Sequence, residues 1–82
     1  MNLEEMEQKL LMTVSNNDGQ WGWYQLERVI DPLRLPEGVT VMSTLIALEQ
    51  EGMLKQVSGK PSAYYAITET GRERLVRDGI IQ

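Results

Sequence analysis

Thr40-Val41-Met42-Ser43-Thr44-Leu45-Ile46-Ala47-Leu48-Glu49-Gln50-Glu51-Gly52 runs straight into Met53-Leu54-Lys55-Gln56-Val57, then Ser58-Gly59-Lys60-Pro61, then Ser62-Ala63-Tyr64-Tyr65-Ala66-Ile67. In the first run Val41, Leu45 and Leu48 recur at helical spacing, and Gly52 stands where a helix C-cap belongs. The next two runs have strand length, and the Ser-Gly-Lys-Pro segment between them is made of turn residues, which predicts a β-hairpin. Thr68 can then cap a helix from Glu69 to about Arg77, stopped at Gly79 and followed by the apolar pair Ile80-Ile81.

Working outward to the N-terminus, Leu3, Met6, Leu10, Leu11 and Val14 also fall at helical spacing, with Glu4, Glu5, Glu7, Gln8 and Lys9 on the other side. Asn2 can cap this helix, and Ser15-Asn16-Asn17-Asp18-Gly19 favours a turn that ends it. Gln20 to Gly22 reads as a short extended link; Trp21 and Trp23 are two apart and would face the same way if that extension held through both. Trp23 to Ile30 reads as a brief helix that stops before Pro32, and Asp31–Gly38 as a loop. The order is helix, short strand, helix, helix, hairpin, helix. This predicts an α+β fold, a small winged helix-turn-helix with a two- or three-stranded antiparallel wing, as a single domain over residues 1–82. The expected core is Leu3, Met6, Leu10, Leu26, Val41, Leu45, Leu48, Leu54, Tyr65, Ile67 and Leu75.

At 82 residues, 41% apolar and 24% charged, the chain has room for one small core and is too apolar for disorder. It has no Cys and no His, so disulfides, Cys nucleophiles, His bases and Cys/His metal sites are excluded. Absent cysteine fits a cytoplasmic location, and no apolar run approaches the ~20 residues of a membrane span. The net charge of −4 is unevenly spread. Residues 1–51 carry three basic against nine acidic side chains, a net of −6, and residues 52–82 carry five against three, a net of +2. Contact with a polyanion would use the C-terminal third.

The stretch Leu45-Ile46-Ala47-Leu48-Glu49-Gln50-Glu51-Gly52-Met53-Leu54, followed by Tyr64-Tyr65-Ala66-Ile67-Thr68-Glu69-Thr70-Gly71-Arg72-Glu73-Arg74-Leu75, resembles the PadR and MarR winged-helix transcriptional regulators. The likeness lies in a leucine-spaced helix closing in acids and Gly, then a wing, then two tyrosines and a T-x-x-G start to a helix. It covers roughly residues 39–76 and implies a dimeric DNA-binding regulator. Three departures accompany it: the link Asp31–Gly38 is longer than a tight helix-turn-helix turn, the long C-terminal dimerisation helix of PadR relatives is missing before Gln82, and Val39–Glu51 holds no Arg or Lys.

The function this resemblance points to first is a small transcriptional regulator that binds duplex DNA mainly through wing and phosphate contacts, from Lys55 and Lys60 of the wing and Arg72 of the last helix, with Thr40, Ser43 and Gln50 adding minor ones. Arg74 and Arg77 belong to the same basic third. The other expectation is a protein interface, with a homodimer or another protein, through Val39, Met42 and Ile46 on the third helix and through Ile80 and Ile81. Half-burial of Met42 and Ile46 by a neighbouring element is the alternative for that stripe. Enzyme chemistry finds no support: Ser15, Ser43, Ser58 and Ser62 lack a histidine, and after Gly59-Lys60 a proline occupies the hydroxyl position of a phosphate loop. No cofactor, metal or catalytic residue is expected.

Overall fold

Asn2 begins the first helix as its side chain was expected to: Oδ1 accepts from the N–H of Glu5 at 2.8 Å. A computed structural model of the chain describes residues 2–30, 34–59 and 62–81. Helix α1 spans Leu3–Asn16 and buries Met6, Leu10, Leu11 and Val14. Leu3, expected in the core, is 46% exposed. It lies on the same helical face as Leu10 and Val14, but in the first turn, beyond the elements that cover them.

The link after α1 runs along one edge of the later hairpin. The N–H of Gly19 donates to Tyr65 O at 3.0 Å, and the N–H of Tyr65 donates to Trp21 O at 2.8 Å. Trp21 thereby forms an isolated antiparallel bridge and packs against the core. The extended segment ends there. Gly22 caps helix α2, Trp23–Arg28, with its N–H donating to Gln25 Oε1 at 2.8 Å. Trp23 opens the helix, as the sequence predicts, so the extended link through both tryptophans that would set them on one side is not present. Instead Trp23 meets Tyr24 edge to face, centroids 5.8 Å apart. The helix also stops two residues short of Ile30, which is still buried.

Helix α3, Val41–Gln50, buries Val41, Thr44, Leu45 and Leu48. Gly52 ends it at φ +77°, and the N–H of Met53 returns to Leu48 O at 2.9 Å, the arrangement that favours glycine at this position. Strands β1, Leu54–Val57, and β2, Tyr64–Ile67, pair antiparallel from Leu54 opposite Ile67 to Val57 opposite Tyr64. Each is shorter than the sequence suggested: β1 loses Met53, which turns to serve both α3 and Thr68, and β2 begins at Tyr64 instead of Ser62. Helix α4, Glu69–Arg77, starts from Thr68, whose hydroxyl accepts from Gly71 N–H at 3.1 Å and donates to Gly52 O. One hydroxyl thus ties the end of α3 to the start of α4.

The architecture is α+β: four helices and a two-stranded antiparallel sheet among the described residues. One buried cluster joins Met6, Leu10 and Val14 to Leu26, Leu45, Leu48, Leu54, Tyr65 and Leu75. A polar clamp closes its α1–α4 side. Arg74 pairs with Glu7 at 2.8 Å and Asp78 at 3.4 Å, and Gln8 donates to Asp78 at 3.1 Å. Among the described residues no helix is long and apolar enough to cross a membrane.

Candidate functional site

Helix α3 offers solvent a face whose polar groups at the N-terminal end are already engaged. Thr40 Oγ1 accepts from Ser43 N–H and Ser43 Oγ accepts from Thr40 N–H, both at 3.0 Å. Ser43 Oγ also donates to Thr40 O at 2.9 Å. Both hydroxyls are committed to a capping box, which satisfies helix donors that otherwise lack partners. Thr44, buried beneath them, donates to Thr40 O at 3.0 Å.

The same face is apolar further along. Met42 is 37% exposed and Ile46 47%, so the neighbouring elements do not cover them. Val39 is half-buried against the core. Beside Met42 lies a groove of about 540 Å³ between α2 and α3, lined chiefly by Trp23, Tyr24, Ile30, Leu35, Val41 and Met42. Trp23, at the groove's edge, is 39% exposed. Glu27 and Arg28 supply charge on the α2 side. Gln50, the last residue of α3, is exposed.

The expected cationic contacts are dispersed. Lys55 is exposed on β1 and makes no ion pair with a described residue. Lys60 lies outside the described residues. Arg72 is bound to Asp18 at 3.2 Å, and the other oxygen of that carboxylate accepts from Ile67 N–H at 3.0 Å. Arg74 is held within the α1–α4 clamp, where burial works against its charge and the carboxylates of Glu7 and Asp78 more than restore it, leaving the guanidinium above its ordinary pKa. The hydrogen bond from Gln8, with Arg74 and Arg77 adding, holds Asp78 below its ordinary value. Burial, reinforced by Glu49, pushes the Tyr65 hydroxyl up.

Ile80 and Ile81 sit away from the groove, past the end of α4. Ile80 is exposed beside a shallow depression on α1 lined by Glu5, Gln8, Lys9, Met12 and Thr13, and Ile81 packs on the core. Val39, Met42 and Ile46 are therefore brought together with one another but not with the C-terminal pair. Sequence reading did not anticipate the part that α2 and Leu35 play. The signal was an apolar Trp23, Ile30 and Leu35 flanking a loop whose path no local pattern dictates. No match to this chain is found among protein-family models, curated proteins or solved structures. The apolar α2–α3 surface is the feature with the strongest chemical character. Among the described residues no group of three or more carboxylates could hold a metal ion.

Proposed function

We propose that the chain is a small winged-helix domain, of the kind its residues 39–76 resemble, whose third helix docks onto a protein instead of reading DNA. The observation that carries this is the solvent face of α3: Met42 and Ile46 exposed beside an apolar groove, no cation from Val39 to Glu51, and the Thr40 and Ser43 hydroxyls closed into a cap. A base-reading helix offers Arg, Lys, Asn or Gln to the major groove, and here Gln50 alone has that chemistry. Exposed large apolar side chains around a groove are what an interface buries. The net charge of −6 over residues 1–51 adds a Coulomb penalty against phosphates.

A photo-cross-linking residue placed at position 46 in cells of the source organism tests this, with position 73 on exposed α4 as the control. A discrete protein adduct at 46 and none at 73 is expected. Adducts to nucleic acid alone would overturn the reading.

A second reading, a duplex-DNA-binding transcriptional regulator, is favoured by one observation, the exposed Lys55 on the hairpin, which makes no ion pair with a described residue. Binding of that kind positions without specifying, and it weakens steeply as salt rises. An apolar interface barely responds to salt.

A further inference from the structure

We infer that the occupant of the α2–α3 surface is a cationic amphipathic segment of another protein, its apolar side on Met42, Ile46 and the groove, its Lys or Arg at the C-terminal end of α3. This rests on the docking reading above and adds the partner's chemistry.

Spacing comes first. Met42, Ile46 and Glu49 are four and three residues apart, so they share one face of α3, apolar at its start and acidic at its end. Seven residues of helix separate Met42 from Glu49, about 10 Å. A partner helix laid along this stripe would present two apolar anchors about a turn apart, and a cation one further turn on.

Charge comes second. The last turn of α3 holds no basic side chain and carries Glu49, with Glu51 exposed just beyond. The C-terminus of a helix is the negative end of its dipole, where cations are normally favoured. This helix therefore places acid on its own negative end. The hydrogen bond that Glu49 receives from Gln56, at 3.0 Å, brings no positive charge. The groove's own charges, Glu27 and Arg28, offset one another, which leaves the acids at the end of α3 without a balancing cation on that helix. A cationic partner supplies what the surface lacks. A second copy of the chain does not, because two-fold pairing offers this face only the same α3 surface, which holds no Lys or Arg from Val39 to Glu51.

The probes are three synthetic helical peptides with one identical leucine–tryptophan stripe and a polar face made of Lys, Gln or Glu. Affinity is read from backbone amide shifts of the full chain. The Lys peptide should bind about three- to tenfold more tightly than the Glu peptide, as ion pairs to the half-buried Glu49 and the exposed Glu51 allow, with the Gln peptide between. Substituting Glu49→Gln with Glu51→Gln should largely erase that ratio, whereas Glu4→Gln with Glu5→Gln, the same change in net charge on α1, should leave it intact. Met42→Ser with Ile46→Ser should weaken all three peptides at least tenfold. Equal affinity for the three peptides, tighter binding of the Glu peptide, or equal erasure by the α1 pair would overturn the cationic partner and leave docking standing. Peptides that bind elsewhere, or ignore Met42 and Ile46, would overturn both. Amide shifts on α3 that grow with protein concentration alone would identify a second copy instead.

Discussion

A methyl group at position 71 has nowhere to go. Gly71 is buried in the first turn of α4, and a Cβ there would overlap the carbonyl oxygen of Met53 and crowd Ile67 Cγ1 at 2.9 Å. Backbone cannot step aside as a flexible side chain can, so Gly71→Ala should destabilise the fold by about 2–3 kcal/mol. For a chain of this size that lowers the thermal midpoint by about 10–20 °C, measurable by calorimetry. A midpoint within about 2 °C of wild type would show that α4 is not held this close to the Met53 turn. The same contact gives a physical reason for the glycine in the T-x-x-G pattern. Thr68 caps the helix, and the third residue beyond it must be bare for the helix to reach the hairpin.

At the scale of elements, the packing of α4 on α1 carries a signature in pH. Asp78 is held below its ordinary value of 3.8 by Gln8 first, then by Arg74 and Arg77. A carboxyl whose folded pKa is depressed stabilises the protein above the unfolded pKa, and loses that contribution as pH falls through the folded one. The thermal midpoint should therefore fall as pH drops below about 4. In Asp78→Asn the neutral-pH midpoint should be lower and the acid decline shallower. An identical acid decline in that variant would remove Asp78 from the clamp. Local elements were legible in the sequence because their causes are local. The Leu45–Leu48 spacing and the Asn2 and Thr68 caps each act within a few residues. The pairing of Arg74 with Glu7 spans 67 positions and leaves no pattern in the sequence. The place of α2 depends on the path between Ile30 and Thr40, so the groove was not legible although most of its apolar residues were. The start of α2 at Trp23 was legible, and the Gly22–Gln25 cap that fixes it acts within four residues.

At the scale of the whole molecule, stability and binding should separate. Met42 and Ile46 contribute little to the core, since each keeps more than a third of its surface in water. Substituting Met42→Ser with Ile46→Ser should change unfolding free energy by no more than about 1 kcal/mol by denaturant titration, while removing the position-46 contact with a partner. A loss of several kcal/mol would mean the pair is structural. The charge distribution points the same way. Arg72 and Arg74 answer Asp18, Glu7 and Asp78 within the fold, so the +2 of residues 52–82 is a weaker cationic field than the residue count suggests. Selection of duplexes from a fully randomised DNA pool by the full-length chain, at about 0.1 M salt where phosphate attraction is partly screened, tests the central claim that α3 docks and does not read bases. The expected result is a recovered pool with no motif enriched over the input. An enriched motif that disappears with Ser43→Ala or Gln50→Ala would show that α3 reads DNA, and would contradict the account.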